Sequence, residues 1–579
     1  MQTILFFVSL ITIFEIVKAD DPLRPQYHLM PEKNWLNDPN GPVYFNGYYH
    51  MFFQYNPNGA VWGDMHWGHC YSKDMVHWIH LPVALAPDQS YDINGIFTGS
   101  TTIVNGIPTI IYTGITNTSQ QVQCQAQPVD ITDPTLTKWK KSPLNPLITA
   151  PNGRDPSTAF QDDENNYYLI YGYGTEEEGG QAVLFTSKDF LKWTYLHPLH
   201  SNHYDRFWEC PDIFGVSNRI VLKASLLGRD FWTLGDIDPA KLIFIPDNHD
   251  LGEYIQLIDH GRFYASKTFY DPVNDQQVIM GWTSEEDNLG PKRGWQGCHT
   301  LPRAIFLSDD GLQLLSRPID ALKTLRDDQS HQHFHSVVLP PTTPFELIPE
   351  VHGNQIEIVI NWQFPMHENL DFGLIVLSTP DGSQRTSIGI ASRDNTSVML
   401  NWDLPAWDYL SVPSIIEWSE CETACNRDTK CQAWTFVKDR QVNNNCFLKS
   451  GVPFPSPNSV CVSGVKQQGD DKQILWVYMN RILSQKNPDA AHDIIHAPLW
   501  VETTTTNAHW FLQLDIFVDH SIIEVFEPQG GRFALTGHVY PEDGTADNLA
   551  VYINEGPADD DDSIVIDTLD IWKLNTIWT

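Results

Sequence analysis

The chain has 579 residues and a formal net charge of −36 at pH 7. This length exceeds that of one ordinary domain and predicts at least two. The acidic excess excludes nucleic acid and anionic membrane surfaces as partners, because both would repel the protein. Aromatic residues make up 12% of the sequence, with 20 tryptophans, which favours β structure and aromatic stacking surfaces, although large cores use such side chains as well.

The N-terminus predicts a secretory signal peptide over residues 1–19. An apolar run spans residues 4–17, and cleavage is expected near Ala19. No later run of about 18 apolar residues exists, so we expect a soluble, secreted protein. Sequons at Asn117 and Asn395 are consistent with passage through a secretory pathway.

The first motif of the mature chain is Trp35-Leu36-Asn37-Asp38-Pro39-Asn40-Gly41, which precedes an aromatic run over residues 48–55. Its Asn, Asp, Pro and Gly residues predict a turn, which would place Asp38 at a loop or strand edge beside apolar surface. A nucleophilic carboxylate could act there. An Asx turn that merely caps a strand is an equally good interpretation of this segment alone.

A possible metal site follows at His66, His69 and Cys70. A fourth ligand is missing and Trp67-Gly68 separates the histidines, so we expect structural histidines and no metal. No glycine-rich phosphate loop and no Gly-x-Ser-x-Gly elbow is present, which argues against nucleotide and esterase chemistry.

Short runs rich in β-branched and aromatic residues, such as those at 109–113 and 167–171, predict a chain dominated by strands. A pattern that begins Ser-Lys-Asp and ends in Trp recurs at residues 72–78 and 187–193, with a related sequence at 136–139. A repeat of roughly 50 to 60 residues is typical of the four-stranded blades of a β-propeller.

Two further motifs carry carboxylates. Arg154-Asp155-Pro156 places a guanidinium beside Asp155, which is expected to keep that carboxylate ionised and able to accept hydrogen bonds from hydroxyl groups. In Trp208-Glu209-Cys210 the two flanking side chains are expected to desolvate Glu209 and favour the protonated form that a general acid needs. Each motif alone is weak evidence, because an Arg–Asp pair is more often a structural ion pair.

The C-terminal half contains a cysteine-rich segment. In a secreted chain, such density predicts a disulfide-stapled module rather than a zinc site. The acidic run at 559–562 lacks spaced calcium ligands and is interpreted as a solvated loop. The clustered cysteines are Cys421, Cys425, Cys431, Cys446 and Cys461.

At these motifs the sequence resembles the family 32 glycoside hydrolases, a group of invertases, fructan hydrolases and fructosyltransferases. The resemblance implies that Asp38 is the nucleophile, Asp155 stabilises the transition state and Glu209 is the acid/base of a retaining β-fructofuranosidase that acts on sucrose without a cofactor. It extends over nearly the whole chain after residue 22, apart from one insert. Further matching blocks lie at residues 62–69, 97–100, 259–267 and 518–526.

The resemblance also implies an all-β fold. A five-bladed β-propeller over residues 22–335 would hold the site in its axial funnel, and a β-sandwich over residues 336–579 would follow. Residues 415–466 resemble a PAN/apple domain, a binding module for a carbohydrate or protein ligand. That second resemblance implies that Cys421 and Cys425, on a helix, bridge to Cys446 and Cys431, with no obvious partner for Cys461.

By the same resemblance, a set of side chains would surround the fructosyl unit, with Trp62 and Phe97 offering ring faces, while Asp259 and Arg262 would contact the leaving group. Phe97 and Thr98 stand where a Trp and a Ser are common, and Arg262 stands where invertase-like members have Lys. A fructan exohydrolase or a fructosyltransferase therefore remains an alternative. A non-catalytic carbohydrate-binding protein is a third, but the intact carboxylate set argues against it. The expected fructosyl contacts are Asn37, Gln54, Trp62, Phe97, Ser100, Arg154 and Asp155.

Overall fold

The computed structural model describes residues 21–578, apart from 204, 248–250, 252–255, 341–342, 366–369, 393–399, most of 402–471, 503–508, 543–545 and 557–562. The expected signal peptide, the sequon at Asn395 and the acidic run at 559–562 lie outside the described residues. Within the described ranges, no helix is long and apolar enough to cross a membrane.

The N-terminal domain is propeller-like. In the part of the chain that the structure describes, it contains five sheets whose main strands follow one another in chain order. Sheet 1 contains Asn34–Phe45, Tyr48–Asn56, His66–Ser72 and Trp78–Leu85; sheet 2 contains Ile96–Val104, Ile107–Ile115, Gln121–Pro128 and Trp139–Lys141. Sheet 3 contains Phe160–Gln161, Tyr167–Thr175, Gly179–Ser187 and Thr194–Asn202; sheet 4 contains Glu209–Val216, Arg219–Leu226, Arg229–Asp238 and Ile243–Pro246. Sheet 5 contains Tyr264–Asp271, Gln276–Thr283, Cys298–His299, Arg303–Leu307 and Leu314–Pro318.

The Ser-Lys-Asp repeat marks equivalent turns in sheets 1 and 3. Oδ1 of Asp74 accepts hydrogen bonds from the backbone N–H groups two and three residues later, at 2.9 and 2.8 Å. Oδ1 of Asp189 does the same, at 2.9 and 2.7 Å. Each Asx turn links the third and fourth strands of its sheet, so the sequence repeat reflects a structural one.

The first sheet is fastened to the last. The short strand Trp295–Gln296, which follows the helix Gly290–Arg293 within the sheet 5 sequence, pairs in parallel with Asn34 and Trp35 of sheet 1. The first strand of sheet 1 also contacts the first strands of sheets 2 and 5. The first strands therefore converge, and side chains that they carry can meet across sheets.

Two 3₁₀ helices, Asp320–Leu325 and Asp328–Ser330, lead into a β-sandwich. The described strands form two six-stranded sheets around an apolar core that includes Ile358, Val376 and Leu514. One sheet contains, in spatial order, Gln332–Leu339, Ile564–Lys573, Gln355–Pro365, His509–Asp519, Ile522–Phe526 and Ala534–His538. The other contains Thr343–His352, Asn548–Glu555, Asp371–Ser378, Thr386–Ala391, Lys472–Asn480 and Ile494–Glu502.

The sandwich packs directly on the propeller-like domain. Phe517 and Phe526 of the sandwich share an apolar cluster with Leu36 and Phe53 of sheet 1 and with Met280 of sheet 5. The all-β, two-part architecture expected from the sequence is confirmed. The expected boundary between residues 335 and 336 falls inside the sandwich strand that begins at residue 332.

The cysteine-rich segment is described only in part. Its disulfides join Cys421 to Cys446 and Cys425 to Cys431, the pairing that the PAN/apple resemblance implied. The side chain of Cys461 and most of residues 415–466 lie outside the described residues, so a ligand for this segment stays a prediction. The described strands here are Leu400–Asn401, Asp408–Val412, Ala433–Val437, Cys446–Lys449, Ser456–Pro457 and Cys461–Val465.

Candidate active site

Asp38 lies in a doubly bulged strand rather than in the expected turn. The register of Asn34–Phe45 against its neighbour shifts between Leu36 and Pro39 and again between Asn40 and Val43. A bulge accommodates a proline, which has no N–H to donate, and it re-aims the side chain of the unpaired residue. The turn-forming residues therefore shape the strand without ending it.

The carboxylate of Asp38 is half-buried and held from two sides. Oδ1 accepts a hydrogen bond from the Asn37 side-chain amide at 2.9 Å, and Oδ2 accepts one from the Thr98 hydroxyl at 2.5 Å. Burial, followed by the nearby charge of Asp155, raises the pKa of Asp38 to about 6. The group is thus poised to titrate in weakly acidic solution.

Asp155 is buried beside Asp38, in the segment that leads into sheet 3. Its backbone N–H donates to the Thr113 hydroxyl at 3.0 Å, and its Oδ2 accepts from the backbone N–H of Cys210 at 3.0 Å. Burial raises the pKa of Asp155, and the opposing effect of Arg154 does not cancel this. Arg154 thus favours the ionised form of Asp155, as expected, but burial has the larger effect on its pKa.

Glu209 begins the first strand of sheet 4. The Arg154 guanidinium pairs with one carboxylate oxygen, and the Tyr264 phenol donates to the other. The side chain is 32% exposed, whereas the Trp208 ring is fully buried in a separate apolar cluster. Trp208 packs away from this partly exposed carboxyl group, so the expected desolvation of Glu209 gains no support from these contacts and stays a prediction.

Arg154 links two of the carboxylates. Its closest approach to Glu209 is a direct ion pair, whereas its Nε lies 3.7 Å from Oδ2 of Asp155. The guanidinium also lies over the ring of Phe207, 4.1 Å from the centroid. Arg154 therefore lies closer to the carboxylate of Glu209 than to that of Asp155, its neighbour in the sequence.

Cys210 contacts two of the three carboxylates and directly follows the residue that carries the third. Its Sγ lies 3.8 Å from Oδ2 of Asp38, its N–H bonds Asp155, and it directly follows Glu209 in the chain. Cys210 and Asp155 both have positive φ angles, 45° and 66°, which non-glycine residues rarely adopt. Such strained backbone persists where surrounding contacts demand it and is common at functional sites.

The polar residues expected around a fructosyl unit are largely engaged by the protein itself. The Asn37 side chain bridges the Trp35 indole, at 2.7 Å, and Asp38. Ser100 donates to the carbonyl oxygen of Pro156 at 2.8 Å. The buried Gln54 amide lies 3.1 Å from the side-chain amide of Asn40.

Trp62 and Phe97 form an aromatic edge. Their rings meet edge to face, with centroids 5.9 Å apart and an interplanar angle of 73°. Trp62 is 59% exposed, so its ring face is open to solvent. Phe97 directly precedes Thr98, which bonds the Asp38 carboxylate, so the Phe97 side of the aromatic edge and this contact of Asp38 belong to one strand. An exposed indole in this position offers a stacking surface for the apolar face of a sugar ring.

Asp259 is buried and bonded within the protein. It is 1% exposed, and its two oxygens accept hydrogen bonds from Gly261 and Thr536 and pair with Arg303 at 2.8 Å. Arg303 also pairs with Glu524 of the sandwich, at 2.7 Å. This carboxylate neutralises a buried arginine where the two domains meet, and a contact of Asp259 with the leaving group stays a prediction.

Arg262 pairs with carboxylates from both domains. Its guanidinium contacts Glu286 at 2.5 Å and Asp493 at 3.2 Å, and the side chain is about a third exposed. The same two carboxylates also bind the buried Arg481. A substrate contact for Arg262 stays a prediction.

Sequence reasoning missed the roles of Thr98 and Tyr264. Both lie in segments that match the family blocks, but the sequence marks Thr98 only as a departure from a common pattern. Their partners are 60 and 55 residues distant in the chain. A polar residue in a buried strand was the available signal, and it does not identify the partner.

Two family models together match almost the entire chain after the N-terminus. The model for the glycosyl hydrolases family 32 N-terminal domain matches residues 28–318, and the model for the family 32 C-terminal region matches residues 321–573. The two matches meet between sheet 5 and the sandwich, within the 3₁₀ helices that connect them.

Similar proteins agree with this result. An insoluble-isoenzyme β-fructofuranosidase of Arabidopsis thaliana is 33% identical, over 99% of this chain and 93% of its own length. The vacuolar acid β-fructofuranosidase 2 of a Rosa hybrid cultivar is 42% identical, over 96% and 81%. The crystal structure of fructan 1-exohydrolase IIa from Cichorium intybus superposes with a TM-score of 0.76 at 26% identity, over 96% of this chain and 98% of that one. The chain therefore belongs to glycosyl hydrolase family 32 and is a glycoside hydrolase.

Proposed function

We propose that this protein is a retaining β-fructofuranosidase that hydrolyses sucrose. The proposal rests on the linkage of the three carboxylates: Cys210 contacts those of Asp38 and Asp155, and Arg154 lies beside those of Asp155 and Glu209. Family membership supports a glycosidase, and the relatives named β-fructofuranosidase support this specificity.

In the first step Asp38 attacks the anomeric carbon of the fructosyl unit, while Glu209 gives its proton to the departing glycosidic oxygen. The bond between this anomeric carbon and the glycosidic oxygen breaks as the ester bond to Asp38 forms, and glucose leaves with the oxygen. Asn37 and Thr98 hold the attacking carboxylate in place through its two oxygens. Arg154 and Tyr264 fix the carboxyl group of Glu209 in the same way.

In the second step Glu209 takes a proton from water, and the resulting hydroxide attacks the anomeric carbon and releases Asp38. Both transition states carry positive charge on the sugar ring, which carboxylates stabilise. Asp155 would bind ring hydroxyls through its two oxygens. It forms no covalent bond in either step.

A fructan exohydrolase is the second candidate function. The similarity to the Cichorium intybus enzyme favours it, because that structure matches nearly the whole chain. Phe97 at the exposed aromatic edge and Arg262 in place of Lys are the departures that could alter the preferred leaving group. A fructosyltransferase would differ only in the acceptor, which would be a sugar in place of water.

We further propose that the protein enters the secretory pathway and is exported. The sequon at Asn117 lies on an exposed turn between two strands of sheet 2, where a glycan would meet no obstacle. The relatives include insoluble and cell wall enzymes, which support export, and a vacuolar enzyme, which supports only entry into the secretory pathway.

The proposal is tested by incubating the purified protein with sucrose, 1-kestose, inulin and levan and measuring glucose, fructose and longer products. We expect equal amounts of glucose and fructose from sucrose and no turnover by Asp38→Ala. Release of fructose from kestose or inulin, with sucrose untouched, would establish the second candidate instead. No product from any of the four sugars with a folded wild-type protein would overturn both.

The stereochemical course is tested separately by NMR during the first minutes of hydrolysis. A retaining enzyme releases β-D-fructofuranose first, before mutarotation. An initial product of the α configuration would contradict the covalent role of Asp38.

A further inference from the structure

We propose that the edge of the β-sandwich holds a site for a divalent transition-metal ion, formed by His331, His333 and Asp570. The strand Gln332–Leu339 lies at the end of its sheet, and its neighbour is Ile564–Lys573, which carries Asp570. All three side chains are accessible to solvent, so an ion can reach them.

The three side chains already converge. Nε2 of His331 and Nδ1 of His333 each lie 2.8 Å from the same oxygen, Oδ1 of Asp570. Each of the three residues offers one ligand atom, and these atoms all lie within 4.8 Å of one another. A tetrahedral zinc ion with bonds of about 2.0–2.1 Å needs ligand atoms about 3.3 Å apart, so each nitrogen–oxygen distance would lengthen by about 0.5 Å as the exposed side chains adjust.

Strand geometry creates this arrangement. Residues 331, 333 and 335 alternate with residues that face the other way, and Phe334 between them packs on the sandwich core. The imidazole rings consequently form a row, with centroids 6.3 Å and 6.0 Å apart. Asp570 is the direct cross-strand partner of His333, which places its carboxylate beside that row.

Neighbouring groups keep the ligands in position. The ring of His331 stacks on Trp572, with centroids 4.5 Å apart and an interplanar angle of 4°. Arg326 also lies over Trp572, but its charge is offset by two hydrogen bonds to Glu357, of 2.8 and 2.6 Å. The site therefore presents two imidazoles and one carboxylate with little opposing charge.

This donor set defines the class of ion. Imidazole nitrogens suit Zn²⁺, Cu²⁺ and Ni²⁺, whereas Mg²⁺ and Ca²⁺ prefer oxygen ligands alone. Three protein ligands leave at least one coordination position for water. Among the described interactions, none of these residues contacts the three carboxylates of the active site. Zinc binding at this site can therefore be measured separately from sucrose hydrolysis.

The test is isothermal titration calorimetry with ZnCl₂, using untagged protein that has been treated with a chelator and then dialysed. Wild type is expected to bind one zinc ion at this site. His333→Ala and Asp570→Asn are each expected to weaken that binding by at least about tenfold, because the first removes a ligand and the second removes the negative charge of another.

His352→Ala is the matched control. His352 also lies on a strand of the sandwich and faces one carboxylate, Asp547, at 3.6 Å, but it is paired with no second histidine among the described ion pairs. Zinc binding should be unchanged in this variant, and sucrose hydrolysis should be unchanged in all three. Absence of zinc binding by wild type would overturn the proposal, as would equal affinities for wild type and the two ligand variants.

Discussion

The hydroxyl of Thr98 donates a 2.5 Å hydrogen bond to Oδ2 of Asp38, across the contact between the first strands of sheets 2 and 1. This bond lowers the pKa of Asp38, whereas burial and the charge of Asp155 raise it by more. The proposed nucleophile is therefore balanced between effects of opposite sign, and its ionisation should respond to small changes nearby.

The first prediction concerns the pH dependence of wild-type activity. Because Asp38 must be ionised to attack and its pKa is raised to about 6, kcat/KM for sucrose should fall as the pH drops below about 6. This fall is the acidic limb of the pH profile, and initial rates at low substrate concentration between pH 3.5 and 8 would measure it. A limb near the ordinary aspartate value of about 4 would contradict the assignment.

The second prediction concerns Thr98→Val, which removes the hydroxyl and keeps the shape of the side chain. Loss of a hydrogen bond to the ionised form should raise the pKa of Asp38 and move the acidic limb to higher pH. Thr98→Ser retains the hydroxyl and is the control, with a limb close to that of wild type. Identical pH profiles for Thr98→Val and wild type would show that this hydrogen bond has no influence on the ionisation of Asp38.

The third prediction concerns stability. A carboxyl whose pKa is raised in the folded state favours folding when protonated, so ionised Asp38 costs stability above about pH 6. Asp38→Asn should therefore unfold at a higher temperature than wild type at pH 7.5, by at most about 3 kcal/mol in free energy.

This stability difference should shrink as the pH falls from about 6 towards 4, where wild-type Asp38 becomes protonated. Thermal unfolding followed by circular dichroism at several pH values would measure it. A difference that persists unchanged at pH 4 would point to packing instead of charge as its cause.

The fourth prediction concerns Tyr264, which we treat as a positioning residue for Glu209. Tyr264→Phe removes a hydrogen bond to a carboxyl group and should lower kcat by about 10- to 100-fold, with a smaller change in KM. Tyr270→Phe, which removes an exposed bond to Asp275, is the control and should have normal kinetics. A normal kcat for the Tyr264 variant would exclude this role.

The fifth prediction separates a structural role of Asp259 from binding of the leaving group. Asp259→Asn leaves part of the Arg303 charge without its partner at the domain interface, which should cost about 3 kcal/mol of stability. The KM for sucrose should be unchanged at a temperature where the variant is folded. A raised KM with normal thermal stability would restore the role expected from the sequence.

The sequence alone determined the chemistry and the architecture of this protein. Strand-forming runs and turn residues are local signals, and the Ser-Lys-Asp repeat corresponded to equivalent turns in two sheets. The motifs around Asp38, Asp155 and Glu209 were specific enough to identify the family, because each fixes several adjacent residues. The two disulfides agree with the pairing that the PAN/apple resemblance implies, because the spacing of the cysteines is also a local pattern.

The tertiary structure alone decided what surrounds each carboxylate. Neighbours in sequence suggested that Trp208 desolvates Glu209 and that Arg154 sets the ionisation of Asp155, but Trp208 packs in a separate apolar cluster and burial affects the pKa of Asp155 more than Arg154 does. The effective neighbours, Thr98 and Tyr264, come from other sheets, and Asp259 proved to be used by the sandwich. Burial and distance set the pKa of a buried acid, and both depend on packing between segments that lie far apart in the chain.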